Sequence, residues 1–172
     1  MSQKEEVFYK ETYPKIRDWF QHSALRLQLL KLCNDYIPVL TGVMYAGLVF
    51  ASAWFWHREV FFRILLIPAI TLALVTVLRK CIKAERPYFK YKFEPLIYKD
   101  AKKDSMPSRH CASAAVIAMA ALYMVPACGV LMLILSLFVC ATRFLGGVHT
   151  AKQCAAGWII GILFGIAGFF VL

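Results

Sequence analysis

Five apolar runs alternate with polar stretches along this chain, over residues 36–56, 61–78, 111–125, 129–141 (extending through Leu145) and 154–172. The first two approach the ~20 residues that a helix needs to cross the hydrocarbon core of a bilayer. Trp54, Trp56 and His57 close the first run with the amphipathic rings of a membrane–water boundary. His57–Arg58–Glu59 turns the chain into the second run, Pro126–Ala127 separates the third from the fourth, and 146–153 separates the fourth from the last. Ahead of all of them, Phe8, Ile16, Phe20, Leu25 and Leu30 are mixed with Lys15, Arg17, Arg26 and Lys31. That segment is too charged to span and periodic enough to lie as a helix in the interface. The pattern predicts an all-α fold, a polytopic membrane helical bundle of about five spans. An amphipathic N-terminal helix covers 1–35 and a membrane domain covers 36–172, with one substantial loop at 79–109. In the last run Gly157, Gly161 and Gly165 recur every four residues, a spacing that lets a neighbouring helix approach closely.

Span parity then organises the polar stretches. The end of the second run, the start of the third, the end of the fourth and the start of the fifth all fall on one side of the membrane. The N-terminal helix joins them there. Composition agrees with an integral membrane domain, being 60% apolar and 17% charged with a mean hydropathy of +0.61. Residues 1–35 contain no apolar run of the signal-peptide kind, so this segment is expected to be retained. The net charge is +10, and every Asp and Glu lies at or before Asp104. Such a basic excess suits membrane lipids and an anionic substrate. Nucleic acid is set aside, because a chain this apolar is unsuited to groove reading. Of the 20 Lys and Arg, only Arg58 and Arg63 fall on the far side, which by the positive-inside rule turns the polar face toward the cytosol. The six cysteines show neither CxxC nor metal-ligand spacing and read as small buried hydrophobes.

Three clusters on the shared face carry candidate chemistry. In Arg79–Lys80–Cys81–Ile82–Lys83–Ala84–Glu85–Arg86–Pro87, a helix prolonged beyond the membrane would align Arg79, Lys83 and Arg86 on one face, with Pro87 ending it. Arginine forks match phosphate oxygens. In Pro107–Ser108–Arg109–His110 a hydroxyl, a guanidinium and an imidazole stand where a helix begins, and a helix N-terminus suits an anion. In Thr142–Arg143–Phe144–Leu145–Gly146–Gly147–Val148–His149 and the following Thr150–Ala151–Lys152–Gln153, a glycine pair allows close backbone approach beside an Arg and a His. Each cluster alone has a plainer reading: headgroup contact, a helix cap, an interfacial histidine.

Together they resemble the tripartite signature of the type 2 phosphatidic acid phosphatase (PAP2) family, whose pattern runs Lys–x6–Arg–Pro, Pro–Ser–Gly–His and Ser–Arg–x5–His–x3–Asp. Here it reads Arg79–x6–Arg86–Pro87, then Pro107–Ser108–Arg109–His110, then Thr142–Arg143–x5–His149–x3–Gln153. The resemblance covers roughly 60–165 and looks closest to the small bacterial membrane members that act on lipid phosphates. It implies metal-free phosphoryl transfer through a phosphohistidine, with no cofactor. His149 would be the nucleophile and His110 the proton donor, with Gln153 completing the catalytic set. Arg79, Arg86, Ser108, Arg109 and Arg143 would bind phosphate. Candidate substrates are undecaprenyl diphosphate, phosphatidylglycerol phosphate and phosphatidate, at a cell membrane crossed several times. Most bacterial relatives are thought to work on the outer face, which opposes the charge rule.

Arg for Lys keeps the charge, Thr for Ser keeps a hydroxyl, and Arg for Gly adds a cation. Gln153 for Asp loses the charge, and the resemblance makes that Asp the group that orients the nucleophilic His. Asp100 and Asp104 are the nearest acids to stand in. The alternative is a catalytically impaired relative that binds lipid phosphates or a membrane partner.

Overall fold

The computed structural model describes residues 3–98 and 104–171. Two segments precede the first long helix. Helix α1 (Gln3–Val7) passes through a π-helical turn (Phe8–Thr12) into α2 (Tyr13–Gln21). Ser23, in extended conformation, then breaks the chain, and α3 runs unbroken over Ala24–Phe55. The amphipathic helix expected over 1–35 is therefore divided. Its second half is the entry to the first span, because Leu30 and Asn34 already face inward in register with Thr41, Leu48 and Ser52.

Helix α4 (Arg58–Ile82) returns across the bundle with Ile64, Pro68, Thr71, Val75 and Arg79 along its buried stripe. A single turn, α5 (Pro87–Lys90), follows, and then α6 (Arg109–Met124), α7 (Pro126–Leu145) and α8 (Ala151–Ile166), which a π-helical turn extends to Val171. Among the described residues there is no strand. Four stretches are long and apolar enough to cross a membrane: Ala24–Phe55, Arg58–Lys90, Pro126–Leu145 and Ala151–Val171. Their outward faces carry exposed Phe50, Trp54, Ile70, Val77, Leu137 and Leu163, as lipid contact requires.

The third apolar run, α6, is shorter and occupies the centre, touching α3, α4, α7 and α8. Its Ala112, Ala114, Ala115, Ala118, Ala120 and Ala121 are all buried. Small side chains on this helix meet the glycines of α8. A Cβ on Gly161 would strike the Ala112 carbonyl and the Ala115 methyl, and one on Gly165 would strike Met119. The spacing read from sequence thus marks the α6–α8 seam.

The N-terminal segment docks on the polar face. Tyr9 stacks between Tyr91 and Phe93, with ring centroids at 4.9 and 5.1 Å. The Tyr13 hydroxyl donates to Leu145 O at 3.1 Å and accepts from the Leu96 amide at 3.4 Å. Glu5 bridges Lys152 at 3.0 Å and accepts from the Tyr91 hydroxyl. Burial raises the Glu5 pKa, but those two hydrogen bonds and the Lys152 and Lys90 charges outweigh it and hold the carboxyl below its ordinary value. Tyr13→Phe leaves a buried carbonyl and amide with a lost partner and is expected to destabilise the protein by about 1–2 kcal/mol. Denaturant unfolding in detergent measures this, and an unchanged midpoint contradicts it.

Candidate active site

Helix α4 ends at Ile82, where Lys83 turns left-handed at φ 50° and its amide bonds back to Arg79 O. The helix expected to continue to Arg86 is therefore absent. Lys83 is exposed, and Arg79 and Arg86 reach the same cavity by separate routes. Arg79 projects from the last turn of α4, its Nη1 on Pro107 O at 3.2 Å. Arg86 precedes α5, its Nη1 3.4 Å from Val148 O. Arg143 comes from the last turn of α7. The chain then folds back so that the Val148 and His149 amides both bond to Arg143 O, which turns His149 inward. Gly147, at φ 74° and packed against the Tyr13 hydroxyl, supplies the left-handed position this reversal needs. Arg109 and His110 open α6.

Arg79, Arg86, Arg109, Arg143, His110, His149 and Val148 line one cavity of about 190 Å³. Among the described residues, four guanidiniums and two imidazoles surround it. Arg79, Arg86, Arg143 and His149 are each buried. Buried cations crowded together gain from an anion among them, a setting that suits a small, multiply charged anion. The Ser108 hydroxyl and Arg143 Nε are buried without a hydrogen-bond partner among the described residues. Ser108 is not in the cavity lining and is fully buried. The Thr142 hydroxyl turns back to Val139 O at 3.0 Å. Among the described residues, no three His, Cys, Asp or Glu side chains gather as a metal site.

A second cavity of about 390 Å³ abuts the first and shares Arg109 and His110 with it. Pro38, Thr41, Leu72, Ile117 and Val139 line the rest, so an apolar groove between the helices ends at the polar cradle.

Gln153 Oε1, rather than Asp104, faces His149 Nδ1 at 3.1 Å. Asp100 lies outside the described residues. Gln153 also forms a capping box with Thr150 at the start of α8, and its carbonyl accepts from the Ser108 amide at 3.0 Å. Its Nε2 donates to Ser105 Oγ and Glu85 O. Sequence reading missed Ser105, which sits two residues ahead of the second cluster. Full burial of a hydroxyl in a loop is not visible in residue order.

Burial, then the Arg86 charge, pushes the His149 pKa down to about 3. A depressed pKa means that the neutral ring is favoured, and the sign follows: His149 stays neutral as pH falls through 6.5 and gains its proton only well below it. An NMR titration of the ring in the ligand-free protein is expected to show it neutral at pH 5. A midpoint near 6.5 contradicts this.

A helical membrane bundle that presents an arginine-lined anion cradle at one edge defines the class. The PAP2 superfamily model matches residues 60–171, and the chain belongs to that superfamily. No curated protein matches it. Among solved structures it is similar to the first transmembrane PAP2 type phosphatidylglycerolphosphate phosphatase from Bacillus subtilis. The TM-score is 0.50 and the identity 18%, over 94% of this chain and 92% of that one. At that identity the likeness is one of fold.

Proposed function

We propose that this protein is a multi-pass cell-membrane phosphatase that hydrolyses lipid phosphates or diphosphates through a phosphohistidine. The observation that carries the proposal is the joining of two cavities at Arg109 and His110: a cradle of four arginines on one side and an apolar groove on the other. A lipid phosphate is itself such a joined pair. Its acyl or prenyl tail would lie along α3, α4 and α7, with the phosphoryl group among the arginines. Phosphatidylglycerol phosphate, phosphatidate and undecaprenyl diphosphate all have this form, and the Bacillus fold neighbour is named as a phosphatase of the first of them.

In this reading His149 Nε2 attacks phosphorus as the bond to the leaving oxygen breaks. His110, at the mouth of the groove where the lipid oxygen departs, donates its proton to that oxygen. Water then attacks the phosphohistidine, giving its proton to His110, and the P–N bond breaks to release phosphate. Arg79, Arg86, Arg109 and Arg143 stabilise the charge on the non-bridging oxygens in both steps. These arginines supply the positive charge that a metal provides in other phosphoryl-transfer sites, so the reaction calls for no metal or cofactor.

Gln153 in place of an acid favours a second reading, a relative that binds lipid phosphates without turning them over. Purified protein in detergent with EDTA separates the two on a panel of lipid phosphates. The phosphatase reading expects phosphate release from at least one. Folded protein that binds them all and releases nothing supports the second reading.

A further inference from the structure

The surroundings of the Gln153 amide allow it only one orientation. On one side stand the Ser105 hydroxyl and the Glu85 carbonyl, at 2.8 and 3.3 Å from Nε2. Ser105 Oγ lies 2.9 Å from both Ala84 O and Glu85 O, so its single proton is committed to main-chain carbonyls. Toward Gln153 it offers only lone pairs, as does the Glu85 carbonyl. Two acceptors demand the NH2 end of the amide. On the other side the Thr150 amide, a donor only, points at Oε1 at 3.1 Å. A flipped side chain would set oxygen against oxygen and N–H against N–H. The oxygen therefore faces His149 Nδ1, which must carry the proton. Nε2 of the ring is left with its lone pair.

We propose that Ser105 is a positioning residue for His149, acting through the Gln153 amide to hold the nucleophile in its Nδ1–H tautomer, and that this wired amide does the orienting expected of an acid. The inference rests on the phosphohistidine reading of the same site. An amide in place of an orienting carboxylate is damaging when it enforces the wrong tautomer. Here the wiring enforces the right one. An Asp at 153 would be one methylene shorter and would leave Ser105 and the Glu85 carbonyl without their donor.

The test uses the full chain in detergent with 15N-labelled histidine rings, His149→Ala identifying the His149 signal, alongside kcat and KM on a lipid phosphate. The native protein is expected to show His149 as the Nδ1–H tautomer. Ser105→Ala is expected to lower kcat about tenfold with little change in KM and to bring in the Nε2–H tautomer, and Ser105→Thr to restore both. Gln153→Asp is expected to be slower than the native chain. Three results would each overturn the proposal: a native His149 in the Nε2–H form, a Ser105→Ala protein with the native tautomer, or a Gln153→Asp protein faster than native. If Ser105→Ala fails to fold, the native tautomer and the Gln153→Asp rate still decide. A chain that never releases phosphate but shows the tautomer change would end the phosphatase reading and leave the wiring standing.

Discussion

Replacing His149 with Ala is expected to remove nearly all phosphate release and to leave lipid-phosphate binding largely in place. The imidazole is buried in the cavity wall, and four guanidiniums remain around the cavity without it. In the proposed reaction, binding energy resides in the arginines and bond-making in one ring nitrogen. Removing a nucleophile from a hydrolase costs on the order of 10⁶ in kcat, and the remainder reflects electrostatic stabilisation that needs no covalent step. A loss of at least about 10⁴-fold is expected here, read as phosphate release per mole of folded protein. A variant that retains a tenth of native turnover would mean that water attacks phosphorus directly and His149 only lines the wall.

The second large effect arises in the seam between α6 and α8. A Cβ on Gly157 would strike the Ser108 carbonyl and come within 3.1 Å of its amide nitrogen and 3.2 Å of its carbonyl carbon. All of these are main-chain atoms and have no rotamer to move into. The same Ser108 amide donates to Gln153 O at 3.0 Å, the bond that ties the second cluster to the third. Gly157→Ala must push the start of α6 away from α8, and with it Arg109 and His110. Overpacking of this kind costs about 1–3 kcal/mol. Displacing reactive groups by about 1 Å can cost 10²-fold in rate, and a loss of that order in kcat/KM is expected. Gly47 provides the control. A Cβ there meets nothing within 4 Å, so Gly47→Ala should leave both stability and rate unchanged. Equal behaviour of the two variants, measured by unfolding in detergent and by turnover, would show that the seam does not set the site.

Motif spacing and the parity of the expected spans both put the three clusters on one side of the membrane. Arg79, Arg86, Arg109, His110, Arg143 and His149 do share one cavity. What spacing did not carry was how the backbone delivers them. A helical reading of 79–86 aligned Lys83 with the arginines, because Pro87 is the visible stop signal. The stop actually falls at Lys83 in a left-handed cap, where neither Gly nor Asn announces it. The helix boundary at Ser23 was hidden similarly. Arg26 and Lys31 argued against a span, yet a helix tolerates charge on the face it keeps out of the bundle. Tyr9 and Tyr13 owe their burial to Tyr91, Phe93 and Leu96, partners distant in sequence. Gln153 was legible as a departure from the family pattern. That its amide is held by Ser105 and Glu85 O required the loop's three-dimensional path.

The stereochemical course at phosphorus tests the central claim most directly. A substrate carrying a phosphoryl group made chiral with sulfur and oxygen isotopes is turned over by the purified chain in the presence of EDTA, and the configuration of the released thiophosphate is read by 31P NMR. Two in-line displacements, the first by His149 and the second by water, predict net retention. Net inversion would mean a single displacement by water and would contradict the phosphohistidine account.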